Sequence, residues 1–214
     1  MSEATGLLRE PWESFERQSE AGTLGIWAFL ASEILFFGAL MLTYTVCRIE
    51  NADAFAAAGR ATNIWYGTAN TAILLTSSLT MTVVVQATAS GDNFRRLILA
   101  CLTVTAALGT AFLAVKGFEY KDDIEKHLVP GAQFALTEKS AQLFFGLYWT
   151  LTGVHAIHLT IGILLVLRLA LLGFRRRLEL DRNPEIRVTG LYWHLVDVIW
   201  IFLYALIYLP GRAS

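Results

Sequence analysis

The sequence predicts an all-α polytopic membrane protein: a bundle of five transmembrane helices, N-terminus cytoplasmic and C-terminus outside. Three observations carry this. Five apolar stretches are long enough to cross a bilayer, basic residues cluster between them, and 16% of the 214 residues are charged against 55% hydrophobic. Soluble domains average about 25% charged. Inside lipid the backbone must satisfy its own hydrogen bonds, so such runs read as helices. Segments of about ten residues alternating in polarity, the mark of a membrane β-barrel, do not occur.

Residues 1–23, "MSEATGLLREPWESFERQSEAGT", are polar and acidic and form a cytoplasmic segment. They have no basic start followed by a short apolar run, so they do not read as a cleaved signal peptide. Residues 24–214 form a single membrane domain. A hydrocarbon core of about 30 Å takes roughly 20 helical residues to cross, and five stretches qualify: about 24–47, 64–87, 97–115, 143–172 and 191–209. The first is almost wholly apolar. The second carries Gly67, Ala69 and Ala72, and the third Ala106, Ala107, Gly109 and Ala111, small residues that let helices approach closely. The fourth is overlong and is expected to tilt or project. The fifth stops before Pro210. Connections are short except Lys116–Gln142, which is charged and ends a helix near Pro130–Gly131. Orientation follows the basic residues. Nine lie on the N-terminal side against seven opposite, and the "FRRR" run from Phe174 abuts a helix end.

Composition excludes several functions. There is no strongly basic domain, so no nucleic-acid partner is expected. Cys47 and Cys101 are the only cysteines and cannot build a disulfide scaffold. Neither a Gly-x-Ser-x-Gly elbow nor a His-Glu-x-x-His motif supports hydrolysis.

The informative residues are the polar ones inside apolar runs. Glu33 lies nine residues into the first span, roughly 14 Å deep, where a carboxylate costs on the order of 3 kcal/mol. It reads either as a packing residue bonded to another helix or as a proton carrier. His155 and His158, three apart, share a helix face. Two histidines and a carboxylate could serve a metal, but di-metal bundles use paired Glu-x-x-His motifs. None is present, so no metal ligand is expected here. His194 and Asp197 are also three apart, read as a pair near the start of the fifth helix. Trp193, Trp200, Tyr204 and Tyr208 read as packing and interfacial belt residues. Lys116 and Glu119, at i and i+3, read as a surface pair worth a few tenths of a kcal/mol or as a lipid-headgroup contact.

Six segments together resemble subunit III of the haem-copper oxidases: "FLASEILFFGAL", "NTAILLTSS" from Asn70, "KGFEY" from Lys116, "HLVPG" from His127, "GVHAIHLTIG" and "YWHLVDVIWIFLYALIY". They follow the family's order and span most of the chain from Gly25. The resemblance implies a subunit with no haem or metal of its own, haem and copper being held by partners. It packs on catalytic subunit I, with subunit II and a small subunit IV in the same complex, in the bacterial inner membrane. It also implies bound phospholipid, support of proton uptake, and protection of the active site during turnover. The family's carbodiimide-reactive intramembrane acid falls on Glu33, expected at a helix interface near His155 or His158. Asn70, His155, His158, His194 and Asp197 are then its buried polar residues, while Lys116, Glu119, Trp193 and Trp200 become lipid-contact or interfacial residues. Longer members have two further helices before the "SE" helix, and the lipid cleft lies between the groups. Here another subunit is expected to complete it.

The Glu of "SE" favours cytochrome c as donor over quinol. The alternatives are a quinol oxidase subunit III, an accessory subunit of a nitric oxide reductase, and, in a different class, a stand-alone proton-coupled transporter. The transporter is disfavoured because no Gly- or Pro-broken helix marks a midplane binding site.

Overall fold

The computed structural model describes residues 15–90, 94–131, 134–136, 139–176, 178, 180, 183–210 and 212. The first fourteen residues of the expected N-terminal segment, and Arg177 and Arg182 of the orientation argument, lie outside the described residues. The described residues form six helices: α1 (Phe15–Glu50), α2 (Ala52–Ala61), α3 (Ile64–Ser90), α4 (Arg95–Glu125), α5 (Lys139–Phe174) and α6 (Pro184–Ile207). There is no strand among the described residues. Among the described residues, five segments are long and apolar enough to cross a membrane: Leu24–Glu50, Ile64–Ser90, Arg95–Glu125, Lys139–Phe174 and Pro184–Ile207.

The chain divides into two units, Met1–Phe36 and Phe37–Ser214. In the first, the described residues are one helical run with Ile34, Leu35 and Phe36 exposed. In the second, α3 packs on α4, α4 on α5, α5 on α6 and α6 back on α3, while α2 packs on α5. Four helices thus close a ring, and the core lies inside it.

The buried positions explain how the ring holds. On α3 a series through Gly67, Asn70, Leu74, Ser77, Met81, Val84 and Thr88 alternates three and four apart, with Ala87 buried beside it. On α4 the same spacing runs through Ile98, Leu102, Thr105, Gly109, Phe112, Lys116, Glu119 and Asp123. Helices α5 and α6 repeat it. A repeat averaging 3.5 is the pattern of near-parallel helices packed knobs into holes. Hydropathy does not show this seam, because the outward faces are just as apolar: Leu75, Leu79, Ile157, Leu164, Val198 and Phe202 are all exposed. Of the small residues expected at helix contacts, Gly67, Ala106 and Gly109 are buried, while Ala69, Ala72 and Ala107 face outward.

Two elements differ from expectation. The segment read as a plain connection after Cys47 contains α2, an alanine-rich ten-residue helix too short to span but made of good helix formers. It buries Phe55, Ala58 and Gly59. Phe55 sits edge-on to Tyr44 and Phe144, at 5.5 and 5.4 Å between ring centroids. Arg212 reaches the carbonyls of Gly59, Arg60 and Thr62 at the end of α2. The second difference is α4, which runs ten residues past its expected end at 115, to Glu125. All of the charged "KGFEYKDDIE" is therefore helix, not loop. A Schellman turn then stops it. His127 takes a left-handed φ of 54°, its N–H donates to Ile124 O at 3.0 Å, and Leu128 N–H donates to Asp123 O at 2.9 Å.

Two glycine substitutions separate helix propensity from packing. A Cβ on Gly109 would stand 2.8 Å from Trp193 Cη2 and 2.9 Å from Ile163 Cγ1, whereas one on Gly153 meets nothing. Trp193 is fully buried and has no room to retreat. Gly109→Ala should therefore destabilise the protein by about 1–3 kcal/mol through overpacking. Gly153→Ala should be neutral or stabilise by up to about 1 kcal/mol. Thermal unfolding of the detergent-purified protein measures both.

Candidate functional site

The most concentrated chemistry in the second unit lies on the C-terminal third of α4. Lys116, Glu119 and Asp123 fall on its buried seam, at 2%, 1% and 3% exposure. A lysine so far from water must spend every proton on a partner. Lys116 Nζ does so, donating to Glu119 Oε2 at 2.9 Å, Tyr148 Oη at 3.1 Å and Tyr208 Oη at 2.8 Å. Tyr148 comes from α5, and Tyr208 is the residue that caps α6. The phenols continue the network: Tyr208 donates to Glu119 Oε1 at 2.6 Å, and Tyr148 reaches Glu119 Oε1 at 3.1 Å and Asp123 Oδ2 at 2.8 Å.

Aromatic faces close the cage. Lys116 Nζ lies 4.6–5.7 Å from the ring centroids of Tyr148, Tyr120, Tyr208 and Trp200, a cation–π arrangement strengthened by desolvation. Around it Tyr120 shares a hydrogen bond with Thr152 at 2.8 Å. One turn further out, Tyr66 of α3 donates to Asp122 Oδ2 at 3.0 Å.

These contacts correct the surface reading of this stretch. Lys116 and Glu119 form neither a solvated pair nor a headgroup contact, and Trp193 and Trp200, both fully buried, are not belt residues. The mutual neutralisation of Lys116 and Glu119 lets the helix carry both inward. Trp193 Nε1 donates to Ser77 Oγ at 3.2 Å and Trp200 Nε1 to Thr71 Oγ1 at 3.1 Å, so both indoles find polar partners on α3.

The other polar residues are placed separately. His155 is fully buried between Phe112, 5.7 Å away, and Trp200, 5.2 Å away. His158, only partly buried, donates Nδ1–H to Val154 O at 2.9 Å and stands edge-on to Phe37. The two histidines address different neighbours and do not converge. His194 and Asp197 are not bonded to each other either. His194 is partly buried and its Nδ1 meets Ser78 Oγ of α3 at 2.9 Å. Asp197 is buried, and Ser78 of α3 is the polar side chain that its carboxyl group faces. No hydrogen-bond partner among the described residues reaches the side-chain amide of Asn70 or either ring nitrogen of His155. Glu33 lies on α1 in the first unit and is partly exposed. Among the described residues no three of His, Cys, Asp and Glu come together as a metal-ligand group.

Sequence reasoning found Lys116 and Glu119, read Tyr208 only as a packing and belt residue, and missed Tyr148 and Asp123. The signal available was spacing alone: Asp123 continues the three–four repeat of Lys116 and Glu119.

The network predicts a specific pattern of mutational cost. Lys116→Met leaves a buried carboxylate without its cation and should destabilise by about 3–5 kcal/mol. Adding Glu119→Leu should recover most of that loss, because removing both charges is far cheaper than removing one. Thermal melts of the two variants against wild type measure the recovery.

Comparison with known proteins identifies the framework that carries this network. The family model for cytochrome c oxidase subunit III matches residues 18–212. The chain is 30% identical over 191 residues to cytochrome c oxidase subunit 3 of Bacillus sp. (strain PS3), covering 89% of this chain and 86% of that one. It is 31% identical over 191 residues to the same subunit of Bacillus subtilis, covering 89% and 87%. With the cytochrome bo(3) ubiquinol oxidase subunit 3 of Pseudomonas aeruginosa it shares 28% over 188 residues, covering 87% and 84%. With five candidate membrane spans and a match over nearly its whole length, the chain belongs to the cytochrome c oxidase subunit III family, as a multi-pass bacterial membrane protein and a terminal-oxidase subunit III.

Proposed function

We propose that the chain is the subunit III of a bacterial inner-membrane oxidase that takes electrons from cytochrome c. It packs on catalytic subunit I beside subunit II and a small subunit IV. Haem and copper are held by those partners, phospholipid is bound at the subunit surfaces, and subunit III itself performs no redox step. It supports proton uptake and the durability of turnover. The N-terminus faces the cytoplasm and the C-terminus the outside, in keeping with the basic residues between the spans.

The observation that carries this reading is the match over residues 18–212. The surface of α1 supports it. Leu24, Trp27, Ile34, Leu35, Leu42 and Ile49 are all exposed, so this helix offers a broad apolar flank to lipid or to a neighbouring subunit. Glu33 breaks that flank with one carboxyl group, which we assign as the family's intramembrane acid. Its role is to sustain turnover and not to perform it.

Quinol is the second reading for the donor. It rests on the similarity to a ubiquinol oxidase subunit 3 at 28% identity, against 30–31% for the cytochrome c oxidase subunits, a gap too narrow to separate the two.

A mild-detergent pull-down of the chain from native membranes tests the assignment. The expected product carries an a-type haem spectrum and consumes oxygen with reduced cytochrome c. Uptake driven only by quinol would move the chain to the second reading, and a co-purifying nitric oxide reductase would overturn the oxidase. In the same complex Glu33→Ala should assemble with its haems intact and begin turnover near the wild-type rate, then lose activity sooner. Loss of haem on assembly would contradict a supporting role.

A further inference from the structure

The buried network on α4 has a proton inventory that its contacts do not match. Six hydrogen-bonding contacts join Lys116, Glu119, Asp123, Tyr148 and Tyr208. The ammonium supplies three protons and each phenol one, five in all. The deficit falls at Tyr148. Its oxygen accepts from Lys116, and its single hydrogen faces two carboxylate oxygens, Glu119 Oε1 at 3.1 Å and Asp123 Oδ2 at 2.8 Å. With both acids ionised, one of those contacts is lone pair against lone pair.

We propose that Glu119 and Asp123 share one additional, exchangeable proton, and that the Tyr148 hydroxyl relays it between them. With the proton on Asp123, its O–H donates to Tyr148 Oη and the phenol donates to Glu119. With the proton on Glu119, that O–H donates to Tyr148 Oη and the phenol donates to Asp123. In the exchange the phenol accepts one proton and gives up another, so its own state and the net charge are unchanged. Both arrangements give all six contacts a hydrogen. The two acids are one turn apart on α4, and their oxygens stand 3.1 and 2.8 Å from the same phenol oxygen, so a short two-step transfer carries the proton from one to the other. Asp123 forms the outer end, beside the Schellman turn, and Glu119 the inner end, against Lys116 and Tyr208.

The surrounding groups leave this pair as the place for the proton. From α4 they are Lys116, Tyr120, Asp122 and, at the helix end, Lys126. From α5 it is Tyr148, and past α6 it is Tyr208. Asp122 turns to Tyr66 and is already satisfied. Lys116 has used all three of its protons. The site's ligand is the proton itself, and nothing in the inference depends on which donor feeds the oxidase.

Infrared spectroscopy of the full chain, purified with the subunits that accompany it, tests this. In wild type at neutral pH one carboxylic-acid carbonyl band that shifts in heavy water is assigned to the pair. Asp123→Asn and Glu119→Gln are close in shape and bring an amide donor to Tyr148, which removes the need for the extra proton. Each substitution alone should abolish the same band, and Asp122→Asn should leave it. Loss on both substitutions distinguishes a proton that the pair holds jointly from one that a single acid carries regardless of the other. If neither substitution removes the band, or if only one does, the sharing is wrong. Tyr148→Phe should shift the band's frequency and slow its deuterium exchange, and an unchanged band and exchange rate would overturn the relay.

Discussion

Lys116 is a cation with no route to water, and the arrangement of the α4 seam, of α5 and of the chain past α6 follows from what it requires. An ammonium ion in a low-dielectric interior is tolerated only with a counter-charge and a full set of acceptors. Glu119, one turn along, supplies the charge, but an i, i+3 pair leaves two ammonium protons and most of the carboxylate lone pairs open. Tyr148 and Tyr208 fill those places from two other segments. A neutral seam of leucines would be satisfied by many registers. This one is satisfied only when α5 and the end of α6 stand at a fixed height against α4. The polar network therefore specifies alignment in a setting where lipid offers no hydrophobic drive for helices to pack.

The same constraint explains why the length of α4 is hidden in the sequence. Counting apolar residues ends the span at Val115, because the next residue is charged. The helix nevertheless continues to Glu125, since Lys116, Glu119 and Asp123 recur on the inward seam while Gly117, Phe118 and Lys121 face outward. A charge run that keeps the three–four repeat of an apolar seam is an interior run, and one that breaks the repeat is a solvated face. Here Lys121 and Glu125, four apart, form the exposed pair at 3.7 Å, so both kinds coexist within the last ten residues of α4.

Most of the fold was legible, for a reason specific to membranes. Bilayer thickness sets helix length, and the backbone's need for internal hydrogen bonds sets helix type, so five spans could be placed within a few residues at most ends. What stayed hidden was the buried side of each helix. In water the apolar face turns inward, but here Ile157 and Leu164 are exposed while Asn70 and His155 are fully buried. Polar residues such as Asn70, Ser77 and His155 share the seam with Leu74, Phe112 and Trp193, so hydropathy alone does not mark it. Helix α2 escaped notice because it is too short to span and its alanines carry little hydropathy. The His194–Asp197 pairing failed because spacing fixes which residues can meet but not which do: His194 reaches Ser78 instead.

Tyr208 and Arg212 show how far the constraint extends. Tyr208 lies just past α6, where a residue would ordinarily be free to fray, yet it is fully buried, bonded to Lys116 and Glu119, and stacked on Tyr204 at 5.7 Å. Two carbonyls further back, Leu206 O accepts from Tyr44 Oη at 2.8 Å, and four residues on, Arg212 caps the end of α2. Tyr44 in turn packs on Phe55 of α2. The segment after α6 thus touches the α4 network on one side and the α1–α2 corner on the other. Tyr208 satisfies a buried charge while Leu206 and Arg212 hold the corner of the non-spanning helix. Gly59 and Gly67 are the positions where this closure demands a bare backbone. A Cβ on Gly59 would sit 3.0 Å from Pro210 O, and one on Gly67 3.0 Å from the Tyr208 ring. The lysine's demand for acceptors brings Tyr208 inward, and the close approach that results is what those two glycines make room for.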